Sequence, residues 1–180
     1  MIYPFESDNM ENNYTIQVDS RENRNEHVLE QFTKLGYTYV TSKLYVGDYT
    51  FIQKSDIVVD RKKDMLEIGG NICDRKEHQR FKQELINAQE NGIKLYILIE
   101  EENISCIDMV KYYQCPRYKS NGYKNGIFHH KGEKMSQINF EALGKAMATM
   151  QERYGCTFLF ARREDFGRKI LEILLEENEK

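Results

Sequence analysis

The sequence predicts an α/β fold: one domain built on a single mixed β-sheet with helices packed against it. Three observations lead there. Short β-branched or alternating stretches interleave with longer ones whose apolar residues recur every three to four positions. Their order along the chain is β-α-β-β-β-α-β-α-β-α, with no internal repeat. And 180 residues at 40% hydrophobic and 31% charged suit one substantial core.

Residues 1–13 are polar and acidic and predict a flexible arm ahead of a domain spanning 14–180. Tyr14 to Asp19 alternates and ends on an acid, a strand feeding the loop Ser20 to Asn25, where Asn25 can cap a helix. Val28, Leu29, Phe32 and Leu35 define that helix, and Gly36 stops it. Tyr37 to Tyr45 is a second strand, rich in β-branched and aromatic residues. Gly47 to Lys62 reads as two extended segments around a polar break. A short helix, Asp64 to Ile68, follows and is broken by Gly69-Gly70. Arg75 to Asn91 is a helix with Phe81, Leu85 and Ala88 on one stripe. Ile93 to Ile99 is a nearly continuous apolar run, a central buried strand. Lys111 to Lys134 lacks core periodicity and predicts a long basic loop. Helix Phe140 to Tyr154, strand Cys156 to Phe160 and helix Asp165 to Glu177 complete the domain.

A net charge of −3 argues against a chain that coats nucleic acid non-specifically, so any basic surface is local. No apolar run approaches the roughly 20 residues of a membrane span, and the N-terminus has no signal pattern, so no membrane is expected. Cys73, Cys106, Cys115 and Cys156 lie far apart with no CxxC pair. Free thiols in a reducing, intracellular and cytoplasmic compartment follow.

The chemistry concentrates in Gly47 to Lys62. In a strand, Asp60 and Lys62 point to one side while Arg61 points to the other. Asp48 opens the hairpin, and Asp19 and Glu22 close the neighbouring strand and its loop. Hard divalent cations such as Mg²⁺ or Mn²⁺ take oxygen ligands, and a lysine beside them can orient water or steady developing negative charge. Acids near strand ends also serve as turn-formers or solvated edge charges, and lysines there serve solubility. Spacing alone leaves both readings open.

Several ordered motifs then carry a resemblance. Gly47-Asp48 followed by Val59-Asp60-Arg61-Lys62 resembles the GD…(V/I)ERK signature of XPF-type structure-specific nucleases, of the PD-(D/E)XK, restriction-endonuclease-like superfamily. Val18-Asp19-Ser20-Arg21-Glu22 is similar to that family's VDxRE element. His78 to Leu85 with Leu95 to Glu100 is similar to its RFxxEL helix and LLIE strand. Thr149 to Gly155 with Phe158 to Phe160 resembles its closing helix and strand, so the likeness runs from about Tyr14 onward.

The resemblance implies a restriction-endonuclease-like mixed sheet and a metal-dependent DNA endonuclease. It implies metal carboxylates at Asp19, Glu22, Asp48 and Asp60, a catalytic lysine at Lys62, and supporting roles for Arg80 and Glu84. As surface residues, Arg80 and Glu84 would instead be a plain i,i+4 pair. Two departures stand out. Asp60 occupies a position usually held by Glu, and the acid expected past the lysine is out of register, with Leu66 at the usual spacing and Asp64 and Glu67 nearby. These departures motivate an alternative, an inactive DNA-binding or scaffolding relative of a partner nuclease. The resemblance is expected to stop at the nuclease domain, without the tandem helix-hairpin-helix module that often follows such domains, so the domain itself or a partner is expected to bind the branched, flapped or junction DNA.

Between Lys111 and Lys134, Arg117, Lys119, Lys124 and Lys131 alternate with aromatic residues, suited to phosphates and unpaired bases. A solvated loop with incidental charge would look the same. Arg61, Lys63 and Arg75, around the hairpin's end and the next long helix, join the candidate DNA contacts. Phe166, Ile170, Leu171, Ile173, Leu174 and Leu175 make the last helix apolar beyond one stripe. Either a homodimer through these C-terminal helices or full burial accounts for that.

Overall fold

In the computed structural model the described residues are 14–115, 127–130, 133–136 and 138–176. Among them eight strands form two sheets: β1 (Thr15–Asp19), β2 (Thr38–Ser42), β3 (Tyr49–Phe51), β4 (Lys54–Lys62), β5 (Lys94–Glu100), β6 (Ile127–His130), β7 (Glu133–Ser136) and β8 (Thr157–Ala161). The larger sheet runs β2-β1-β3-β4-β5-β8 and the smaller pairs β6 with β7. The β1–β3 and β3–β4 pairs are antiparallel, while β2–β1, β4–β5 and β5–β8 are parallel. Parallel neighbours need crossovers, and helices α1 (Glu26–Lys34), α2 (Met65–Cys73), α3 (Arg75–Glu90) and α4 (Phe140–Tyr154) lie in them. Helix α5 (Phe166–Leu174) follows β8.

Each sheet face has its own apolar core, and strand alternation sorts β4 between them. Val58 faces one core with residues of α2, α3 and α4, such as Met65, Phe81 and Met147. Ile57 and Val59 face the other with Val28 and Phe32 of α1 and Phe166 and Ile170 of α5. Continuing that alternation sends Asp60 and Lys62 towards α3, and Arg61 towards α1 and α5.

Three expectations change. Helix α2 does not end at Ile68 but runs through Gly69-Gly70. A Cβ at Gly69 would lie 2.5 Å from Ile138 Cδ1, so its lack of a side chain serves close packing, not a break. Strand β2 stops at Ser42 rather than Tyr45, because the Leu44 N–H leaves the ladder for the Asp19 carboxylate, 2.7 Å away. The expected loop 111–134 contains part of a 3₁₀ turn, Ile107–Tyr112, and the antiparallel β6–β7 pair. Four-residue strands leave no periodic signal. Of the apolar residues of the last helix, Phe166, Ile170, Leu171, Ile173 and Leu174 are buried within the chain, so burial accounts for most of its width, and Leu175 is 38% exposed. All four cysteines are free, and no helix among the described residues is long and apolar enough to cross a membrane. The arm at 1–13 lies outside the described residues.

Candidate active site

Gly47 turns the chain into the hairpin with φ +65°, a left-handed conformation that suits glycine. Asp48 follows and is fixed by its backbone: its N–H donates to Val59 O (2.9 Å), and its carbonyl accepts the Asp19 N–H (2.8 Å). Its Oδ2 accepts the Arg61 backbone N–H at 2.8 Å. Asp48 and Asp60 are electrostatically coupled, the Asp48 charge adding to the rise of the Asp60 carboxyl. Asp60 Oδ2 lies 2.6 Å from Lys62 Nζ, yet the contact lacks hydrogen-bond alignment and leaves that buried oxygen without a hydrogen-bond partner. The Lys62 ammonium sits 5.5 Å from the Phe81 ring centre.

Burial pushes the Asp48 carboxyl up to about 6 and that of Asp60 up to about 7, and the Lys62 charge opposes both shifts. Burial works against the Lys62 ammonium, but the charges of Asp60 and Asp48 outweigh it and hold its pKa above the ordinary lysine range. Glu84, from α3, belongs to the same cluster. Its Oε1 accepts the Gly47 N–H at 3.1 Å, and burial followed by the Asp60 charge raises its pKa.

An ionic network occupies the opposite face of β4. Arg61 Nη1 donates to Glu22 Oε1 (2.7 Å), while its Nε and Nη2 donate to Glu100 Oε1 (2.9 and 2.7 Å). His27 Nε2 meets the same Glu100 oxygen at 2.7 Å, and Arg163 Nη1 donates to Glu100 Oε2 at 3.1 Å. The Arg61 side chain is 5% exposed and lies 5.9 Å from the Phe166 ring centre. Glu22 is raised by burial, against the pull of Arg61, with Glu67 and Asp60 adding to the rise.

The structure therefore gathers Asp48, Asp60, Lys62 and Glu84, and brings Glu22 to their edge through Arg61. It does not bring Asp19 in as an open ligand. Both Asp19 oxygens are taken, by the Arg21 N–H (2.6 Å), Arg21 Nε and Nη2 (2.9 and 2.8 Å) and the Leu44 N–H (2.7 Å). Burial acts to raise Asp19, and these bonds outweigh it and lower its pKa. Arg80 is not part of the cluster; its side chain is 84% exposed, with Glu77 at 3.5 Å. Arg61, expected to contact DNA, is instead buried between two carboxylates and offers no surface. Lys63 and Arg75 are exposed. Arg117, Lys119, Lys124 and Lys131 lie outside the described residues. Of the two displaced acids, Asp64 caps α2 through the Leu66 and Glu67 N–H groups, and Glu67 accepts the Lys63 N–H. Sequence reasoning missed His27, and saw Glu100 only as the end of an apolar strand.

Among the described residues no three His, Cys, Asp or Glu side chains already converge as a metal cage. The donor set nonetheless fits a hard divalent cation. Two neighbouring carboxyls, Asp60 buried and Asp48 half-buried, are both raised by burial, and Asp60 Oδ2 has the Lys62 ammonium as an ion-pair neighbour but no hydrogen-bond partner.

The mixed sheet flanked by helices thus carries two neighbouring carboxyls and a lysine on one hairpin. The ERCC4 domain family model matches residues 18–173, and the chain belongs to that family. The chain is similar in structure to XPF from Aeropyrum pernix, with TM-score 0.60 and 19% identity, over 89% of this chain and 63% of that one. A structure of XPF from Aeropyrum pernix in complex with DNA gives TM-score 0.50 and 18% identity, over 93% and 70%. At such identities the likeness establishes the shared fold, and this chain spans only about 63% of the first of those structures. No curated protein matches.

Proposed function

We propose that this chain is a Mg²⁺- or Mn²⁺-dependent endonuclease that hydrolyses phosphodiester bonds in branched, flapped or junction DNA. The observation that carries the proposal is the adjoining Asp48 and Asp60 carboxyls, with buried Asp60 ion-paired to buried Lys62 at 2.6 Å. Asp48, Asp60 and Glu22 would hold the cation, with Glu84 beside them. When bound, a divalent cation lowers the pKa of an attacking water and neutralises charge on the phosphate.

The chain's own residues do the rest. Asp48 and Asp60, both raised by burial, would serve the cation as carboxylates. Lys62, kept charged by those acids, steadies negative charge as it develops at the phosphate. Arg61 holds Glu22 through one oxygen, Oε1, at 2.7 Å. Asp19, saturated by donors from Arg21 and Leu44, positions the loop instead of ligating. Exposed Lys63 and Arg75, with the cations of 117–131, would meet phosphates, and the free thiols suit an intracellular, reducing compartment. DNA binding by a structural relative supports the substrate class.

A panel of labelled flap, fork, junction and single-stranded DNAs with Mn²⁺ or Mg²⁺, beside Asp48→Ala, tests this. Cutting by the wild type and loss of cutting in the variant are expected. An intact panel with tight DNA binding would instead assign the chain as an inactive nuclease-fold subunit.

A further inference from the structure

Nothing in that chemistry uses Tyr45, and its setting is unusual. Single exposed apolar residues are ordinary on protein surfaces and need no explanation. Tyr39 and Val40 sit on the edge strand, and Tyr112 has Lys111 over its ring. Tyr45 is 68% exposed between the buried Leu44 and Val46. The segment around it is pinned from both sides. The Leu44 N–H donates to Asp19, the Leu44 carbonyl accepts Arg21 Nη2 at 3.1 Å, and the Gly47 N–H donates to Glu84.

The clamp is built around a carboxylate, Asp19, that is 1% exposed. Burying a charge is costly unless it is fully paired, and here four N–H contacts pair it. What the clamp holds rigid is an outward rim: Lys43, Tyr45 and the Arg21 guanidinium, whose side chain is 61% exposed. Tyr45 stands three residues before Asp48, a reach of at most about 10–11 Å of chain. An exposed aromatic ring next to Lys43 in sequence, in a segment held by its backbone near a candidate phosphodiester site, has the chemistry of single-strand recognition.

We propose that the Asp19–Arg21–Leu44 clamp presents Tyr45 as a stacking platform for an unpaired nucleobase next to the scissile phosphate, with Lys43 and Arg21 against the adjoining phosphates. This deepens the nuclease reading and rests on it. The ring supplies discrimination: duplex bases are already stacked and cannot use it, whereas a base freed at a flap or fork can.

The test is binding of a fork carrying 2-aminopurine at the first unpaired position, in Ca²⁺ so that cleavage does not intervene, against a duplex of equal length. Wild type is expected to change the probe's fluorescence. Tyr45→Ala should abolish that change and weaken fork binding roughly 5- to 150-fold, with duplex binding altered far less. Tyr45→Phe should restore both, and Asp19→Asn, which loosens the clamp, should weaken fork binding with the ring still present. Melting curves of Tyr45→Ala should overlay wild type, since the side chain is exposed. Unchanged fork binding by Tyr45→Ala, or no recovery in Tyr45→Phe, overturns the platform. Cutting by wild type with Mn²⁺ alongside unaltered fork binding by Tyr45→Ala would sink the platform and leave the nuclease standing. Probe stacking without cutting would do the reverse.

Discussion

Replacing Gly47 by alanine probes the hinge of the catalytic hairpin, and the fold supplies its own control. Gly36 and Gly47 both have positive φ, +79° and +65°. A Cβ on Gly36 meets nothing within 4 Å, so Gly36→Ala incurs only the left-handed backbone penalty of about 1–2 kcal/mol. A Cβ on Gly47 would lie 2.5 Å from Val58 Cγ1 and 3.2 Å from Val59 O. Val58 is buried and β-branched, so it cannot swing aside, and crowding of this kind adds about 1–3 kcal/mol. Gly47→Ala should therefore destabilise by roughly 2–5 kcal/mol, or about 4–20 °C in Tm for a chain of this size. Urea unfolding of both variants measures the difference. Because the Gly47 N–H holds Glu84 and Asp48 is the next residue, Gly47→Ala should also weaken Mg²⁺ binding in calorimetry, and Gly36→Ala should not. Equal destabilisation by the two would refute the crowding argument.

Other outcomes follow from the same geometry. Glu100→Ala strips Arg61 of its main partner in a buried site, where the two side chains are 5% and 8% exposed; unfolding titrations should show a loss of about 3–5 kcal/mol, and a loss below about 1 would mean the network is dispensable. Arg80→Ala should change stability by no more than about 0.5 kcal/mol, since its pair with Glu77 is exposed. Glu84→Gln, by contrast, should raise the Mg²⁺ concentration needed for half-saturation, read by calorimetry. Without metal, stability should fall as pH rises from about 4 to 7. Asp48 and Asp60 are pushed up to about 6 and 7, so in that window the folded chain holds more protons than the unfolded one, and the free energy of unfolding declines with pH. Mg²⁺ should displace those protons and bind more tightly as pH rises, which melts at several pH values would display.

Local periodicity made much of this legible. Alternation alone put Asp60 with Lys62 and Arg61 behind them, because a strand's geometry is fixed by its own backbone. The partners of Arg61 were not legible: Glu22, Glu100 and His27 come from a loop, another strand and a helix, joined only by the fold. The same holds for Asp19, whose role depends on Leu44, 25 residues away. Arg80 and Glu84 look interchangeable as an i,i+4 pair, yet they stand at different angles from the buried stripe of Phe81, Leu85 and Ala88. At 3.6 residues per turn, Glu84 stands about 70° from the stripe's centre and Arg80 about 110°. That rotation was present in the sequence and would have favoured Glu84.

Strand β4 carries the proposed chemistry on one face and the Arg61 ionic lock on the other, in consecutive residues. Inserting or deleting a single residue between Lys54 and Asp60 would exchange the two sets, driving a guanidinium into the carboxylate cluster and stranding Asp60 and Lys62 against Phe166. Length variation should thus be forbidden within this strand, while the exposed turn at Ile52-Gln53 can absorb it. A deep insertion scan of the chain would show a sharp intolerant block there, its edges set by side-chain parity and not by distance from the surface.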